Sequence, residues 1–241
     1  MEYFDAHNHL QLYPADAALD AAMAAAAAAG VTGMLCCGTS PEDWGRVLEI
    51  SCRYSGVTPC FGLHPWFSGE DGWQGRLEEF LRRSPAACVG EIGLDGVKDR
   101  PGQREDFAAQ LELARSFGRP AVLHCVREWG PLLESVKKAG LPVFMLHGYG
   151  GSPELVTDFA ALGGYFSFGA GIAAPGRERL RAALASVPAD RLLFETEAPD
   201  TGGPAGITAV VEAAAAALGR PAEELAELSA ANGGRFAKGL I

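Results

Sequence analysis

Short apolar runs alternate with longer amphipathic or alanine-rich segments along the whole chain, a rhythm that predicts parallel strands joined by crossover helices. Strands are expected near residues 3–7, 32–37, 57–63, 88–94, 120–124, 143–147, 164–167 and 191–195. Helices fill the intervals. Gly30, Gly118 and Gly140 follow apolar periodic stretches and fit helix ends, because glycine takes the left-handed cap without steric penalty. The alanine-rich stretch 17–29 is broken by Asp20 and reads as a helix of high propensity, not a membrane span. No Pro/Gly/Ser linker divides the chain. Eight strand–helix units therefore predict an α/β fold, a single (β/α)8 TIM barrel that occupies 1–241 as one domain.

Composition narrows the picture. Hydrophobic residues make up 48% and aromatics 9%, enough for a substantial core. A formal net charge of -10 gives no broad attraction to nucleic acid or to an anionic membrane, so an anionic ligand has to be drawn in locally. The opening MEYFDAHNH enters a strand pattern at once, which leaves no room for a signal sequence. The six cysteines, Cys36, Cys37, Cys52, Cys60, Cys88 and Cys125, form no Cys-x-x-Cys and mostly sit in apolar runs. Reduced thiols in the cytoplasm are expected, with no membrane partner and a monomer or weak homo-oligomer.

The histidines carry the candidate chemistry. All five fall at or just past a predicted strand end: His7 and His9, His64, His124 and His147. In a barrel those ends form the face on which active sites are built, so residues distant in sequence meet there. Glu91 and Glu197 hold equivalent places on two further strands. A metal centre needs imidazoles and carboxylates aimed at one point. His7 and His9 are two apart and share a face of an extended strand; Asp5 shares that parity and either supports a histidine ring or caps a turn. Glu195 either orients a histidine or makes a structural ion pair, and Cys125, facing away from His124, is expected to pack. Trp66 and Tyr149 either stack on a base or close the mouth.

Taken in order, FDAHNH, GLHPW, VGEIGLD, the histidine-bearing VLHCVREW and LHGYGGS, and FETEAPD resemble the TatD family of metal-dependent hydrolases, within the amidohydrolase-type barrels. The resemblance runs from the first strand to the eighth. It implies two divalent metal ions (Zn, Mg or Mn), with His7, His9 and Glu197 on one, His124 and His147 on the other, and Glu91 bridging; His64 faces the substrate. It also implies phosphodiester cleavage, as in a DNase. Three features depart from the family pattern. Glu195-Thr196-Glu197 stands where the family has Glu-Thr-Asp, with Asp200 as a substitute ligand; DTGGPAGI lacks the usual basic, Asn-containing segment; and ANGGRF approximates the Asn-x-x-Arg-Phe ending through Asn232, Arg235 and Phe236.

Two such ions roughly 3.5–4 Å apart share a water and lower its pKa toward neutrality, which supplies a bridging hydroxide as nucleophile. His64 and Arg127 are the candidates to hold a phosphate oxygen, and Glu197, if not on the metal, is a candidate general base. The expected partner is nucleic acid or a small phosphodiester. Lys98, Arg100 and Arg104 follow the fourth strand and Arg177, Arg179 and Arg181 the seventh, but Asp99, Glu105 and Glu178 dilute both groups. Hydrolysis of an amide, lactone or ester is the alternative chemistry, and a non-catalytic metal-binding barrel is the third reading.

Overall fold

All eight expected strands form, each within two residues of its predicted ends. The structure, a computed structural model, describes residues 1–69, 71–98, 100–141 and 143–239, so the last two positions of the expected domain lie outside the described residues. The strands are β1 (Tyr3–Asn8), β2 (Val31–Cys37), β3 (Val57–Phe61), β4 (Cys88–Asp95), β5 (Ala121–Val126), β6 (Phe144–Leu146), β7 (Gly164–Phe168) and β8 (Leu192–Phe194). They pair in parallel and in chain order as a nearly closed (β/α)8 barrel. Around them lie α1 (Asp16–Ala28), α2 (Trp44–Arg53), α3 (Trp73–Arg83), α4 (Gln103–Phe117), α5 (Trp129–Ala139), α6 (Pro153–Ala161), α7 (Glu178–Ser186), α8 (Ile207–Leu218) and α9 (Ala222–Ala237). Gly118 and Gly140 end α4 and α5 at φ 62° each, as their positions predicted. No helix among the described residues is long and apolar enough to cross a membrane.

Period-two alternation sorts the strand side chains into two cores. Phe4, Leu35, Cys60, Val122, Met145 and Leu193 belong to the cluster inside the barrel. Trp44, Phe61, Leu77, Phe159 and Phe166 belong to the larger one between strands and helices. The bottom of the barrel is sealed by α9. Its buried positions Leu225, Ser229, Asn232, Gly233 and Phe236 recur at helical spacing. Phe236 packs edge-on to Tyr165, with ring centres 5.5 Å apart. At Gly233 an added Cβ would lie 2.3 Å from the Phe4 ring, so no other residue fits there. Asn232 donates to the carbonyls of Ala189 and Leu192 at 2.8 Å each, which ties this plug to the start of β8.

No ladder joins β8 to β1 among the described residues. The seam is held at the mouth by a carboxylate. Asp5, fully buried in β1, accepts from the Thr196 N–H (2.9 Å), the Thr196 hydroxyl (2.7 Å) and the Asn8 amide (2.9 Å). Two backbone bonds flank it, Glu197 N–H to the His7 carbonyl (3.1 Å) and His9 N–H to the Ala198 carbonyl (2.7 Å). Burial pushes the Asp5 carboxyl up to about 7, against the pull of these donors. Asp5 thus supports the histidines indirectly, by drawing the segment after β8 against β1. Removing one partner of such a bond leaves buried groups unsatisfied, at about 1–3 kcal/mol each. Asp5→Ala, which strands three donors, is expected to lower unfolding free energy by about 3 kcal/mol or more in denaturant titration. A loss below about 1 kcal/mol would contradict this role.

Candidate metal centre

Every histidine in the chain reaches the carboxylate of Glu91. His7 and His9 place Nε2 3.3 and 3.5 Å from its Oε2. His124 Nδ1 and His147 Nε2 lie 2.7 Å, and His64 Nε2 3.3 Å, from Oε1. Glu91 itself is 2% exposed. Burial opposes its ionisation, but His147, His64 and His7 outweigh that and hold the carboxyl well below the usual range.

The strands deliver these residues in two ways. His64, His124, His147 and Glu197 continue the inward parity of Cys60, Val122, Met145 and Leu193, one or two pleats further up the barrel. Glu91 and His7 do not continue the parity of Cys88 and Ala6. The β4 register slips between Val89 and Ile92, and the β1 register between Asp5 and Asn8, and each slip turns an off-parity side chain inward. The close approach of β4 to β5 needs Gly93, where an added Cβ would meet the His124 carbonyl at 2.0 Å.

Hydrogen bonds set which nitrogen each ring presents. His9 Nδ1 lies 2.7 Å from the Cys37 carbonyl, an acceptor only, so Nδ1 carries the proton and Nε2 turns its lone pair to His7 and Glu91. His64 Nδ1 instead accepts the Trp66 backbone N–H at 3.2 Å. Its Nε2–H is therefore a donor toward Glu91, and burial lowers its pKa and keeps the ring neutral. His124 Nε2 faces Asp95 Oδ2 at 3.5 Å and has no hydrogen-bond partner. His147 has a carboxylate at both nitrogens, Glu91 at 2.7 Å and Glu197 at 3.1 Å. Burial would lower its pKa, but Glu91 and Glu197 raise it well above the ordinary value. His7, stacked on His147 at 3.9 Å, is lowered to about 4 by burial and by that neighbour.

The donors fit metal ions. His7, His9, Glu91 and Glu197 offer two nitrogens and two oxygens with five measured separations of 3.2–3.8 Å. A tetrahedral ion with ligands at 2.0–2.1 Å has edges of about 3.3 Å. His124, His147 and the other oxygen of Glu91 lie 2.7–3.2 Å apart. His64 also lies near Glu91 and His124 in a ligand-like group, but its protonated Nε2 suits donation better than ligation.

Outside this cluster, Arg127 is exposed just past β5, with φ at 60°. It and Glu197 (φ 58°) are the two non-glycine residues with positive φ among the described residues. Both sit at the mouth, where such strain is tolerated for function. Glu197 holds the position expected of a ligand, whereas Asp200 is exposed and belongs to no ligand group among the described residues. Tyr149 is 1% exposed, its hydroxyl on the Ser152 carbonyl and its ring against Trp129 and Phe166, so it packs in the core and cannot stack on a base. Cys125 packs against the outer core, as expected. Glu195 is buried, pushed up to about 8 by that burial, and accepts from the Ser167 hydroxyl. Arg104 is spent on Glu128, and Arg181 on Glu178 and two carbonyls. Arg177 borders a cavity of about 300 Å³ that also touches Glu195 and Glu197. Sequence reasoning missed Asp95. It closes VGEIGLD and accepts from the Trp66 indole (2.6 Å) and from the N–H groups of Val97 and Lys98. Burial would raise its carboxyl, yet these donors hold it at about 2. Its only sequence signal was its place at a strand end.

A barrel that gathers imidazoles and carboxylates at its strand ends belongs to the class of metal-dependent hydrolase barrels. The TatD related DNase family matches residues 4–238. The uncharacterized metal-dependent hydrolase YjjV of Escherichia coli is 33% identical over 82% of this chain and 80% of its own length. The crystal structure of that TatD homolog superposes with a TM-score of 0.90 at 30% identity, covering 98% of this chain and 96% of the other. The 3'-5' ssDNA/RNA exonuclease TatD of Cronobacter turicensis is 34% identical over 75% of this chain and 72% of its own. The chain belongs to the TatD family.

The opposite shifts of His7 and His147 give a thermodynamic signature. At neutral pH the free lone pair of His7 is ready for an ion, whereas His147 must first lose its proton. Titration calorimetry of divalent ions near pH 6, below the range in which a metal-bound water ionises, in buffers of different ionisation enthalpy, is expected to show release of about one proton per chain. Heat independent of the buffer would contradict these protonation states.

Proposed function

We propose that the chain is a divalent-metal-dependent hydrolase that cleaves phosphodiester bonds of single-stranded nucleic acid. The observation that carries this reading is the convergence of all five histidines on the buried Glu91 carboxylate. His7, His9 and Glu197 would hold one ion, His124 and His147 a second, and the two oxygens of Glu91 serve both. Imidazole-rich sites of this kind favour zinc over magnesium. Held by these residues, divalent ions would supply acidification of water and stabilisation of negative charge on a phosphoryl group. Their +4 exceeds the two carboxylates by two charges, a local positive centre in a chain of net charge -10.

The chain's own residues do the rest. His64, held neutral with its Nε2–H on Glu91, would transfer that hydrogen bond to a nonbridging phosphate oxygen once ions engage the Glu91 carboxylate. Arg127, exposed on a strained backbone at the same rim, pairs with that phosphate. Glu91 and Glu197 orient the donors, and Glu197, the more open of the two, would take up a proton only if it left the metal. Single strands or strand ends fit better than long duplex, because Arg104 and Arg181 are already engaged by their own chain. One chain supplies the whole cluster, so a single domain acting as a monomer or weak homo-oligomer suffices. The six unpaired cysteines support a reducing compartment, the cytoplasm.

A metal-loaded sample offered single-stranded DNA, a small phosphodiester and a lactone is expected to hydrolyse the first two. Glu91→Gln should lower kcat/KM by about 10³-fold, or about 4 kcal/mol of transition-state stabilisation. Turnover of the lactone alone would overturn the phosphodiester reading in favour of carbonyl chemistry.

A further inference from the structure

Four large apolar side chains are exposed among the described residues, and three of them, Leu12, Trp66 and Val97, sit on the loops that follow β1, β3 and β4. They rim one side of the mouth. Exposed apolar surface at a binding face marks something that is covered in use. Trp66 is the largest of the three, at 41% exposure, and it is held rigidly: its indole N–H donates to Asp95 Oδ2 at 2.6 Å. Asp95 is fixed in turn by Val97 and Lys98 N–H on its other oxygen, and its own N–H donates to the Gln103 side chain at 2.9 Å. The ring stands 4.9 Å from that of His64, which touches Glu91. The ammonium of Lys98 lies 3.3 Å from the centre of the indole.

An anchored aromatic face beside the reacting centre, with an exposed cation on it, has the chemistry of a nucleotide-binding platform. We propose that Trp66 stacks a nucleobase of the single-stranded substrate while Lys98 leaves the indole to pair with the adjoining phosphate. Base and cation occupy the same face in turn, so stacking replaces the cation–π contact while the Lys98 charge moves to the backbone of the same nucleotide. The platform is sequence-tolerant, since every base has a π-face. Trp66 would then make the enzyme prefer strands that carry bases over bare phosphodiesters. This rests on the nucleic-acid reading above and adds the group that recognises the base.

The test compares oligothymidylate with an abasic strand of equal length and charge, built of tetrahydrofuran phosphates. The metal-loaded wild type is expected to show a KM about tenfold lower for the base-bearing strand, the effect of stacking one base. Trp66→Ala should bring the two KM values within about twofold, and Trp66→Phe should restore most of the difference. On rapid mixing, before cleavage, oligothymidylate should quench tryptophan emission of the metal-loaded wild type and leave that of metal-loaded Trp66→Phe unchanged. Equal KM values on the two wild-type strands, or quenching that persists in Trp66→Phe, would overturn the platform while leaving nuclease activity standing. Failure to cleave either strand would remove the nucleic-acid reading and the platform with it.

Discussion

One buried carboxylate organises the upper half of this barrel. An isolated carboxylate away from water is unstable by several kcal/mol, and so is an unpaired buried imidazolium. His64 and His147 relieve Glu91 by donating to it, and all five rings stand within 3.5 Å of a Glu91 oxygen. The remainder of the mouth serves that cluster. Register slips in β1 and β4 turn His7 and Glu91 inward, Gly93 lets β5 come close, and Asp5 brings Glu197 across the seam between the last strand and the first. The same donor atoms lie at separations that suit divalent ions, and two buried ring nitrogens among them, His7 Nδ1 and His124 Nε2, have no hydrogen-bond partner.

Glu197 shows how the site absorbs a departure from its family. The longer side chain sits on a left-handed backbone and lies 3.1 Å from His147 with one oxygen and 3.7 Å from His7 with the other. One carboxylate thus addresses the ring sets on both sides of Glu91. Burial would raise its pKa, but His7 and His147 lower it, so it stays ionised beside them.

Much of this was legible in the sequence. Strand positions followed from apolar periodicity, and the histidines stood out because all five ended strands, which no packing requirement demands. Periodicity failed where the backbone departs from it: counting by twos from Cys88 turns Glu91 away from the lumen, and only its motif pointed inward. Asp5 was ambiguous because its partner, Thr196, is 191 residues away and becomes its neighbour only when the barrel closes. Tyr149 looked like a mouth residue because it follows His147 by two, yet the turn at Gly148 (φ 51°) sends it into the core. The plug made by α9 was invisible for a similar reason: Gly233 and Phe236 acquire meaning only against Phe4 and Tyr165, at the far end of the chain and in the seventh strand.

The central claim is that Glu91 lies between two cation sites. Anomalous diffraction from crystals equilibrated with manganese or zinc measures this directly. Two peaks are expected, one enclosed by His7, His9, Glu91 and Glu197 and the other by Glu91, His124 and His147. Density at neither position, or ions bound only at surface carboxylates away from Glu91, would contradict it.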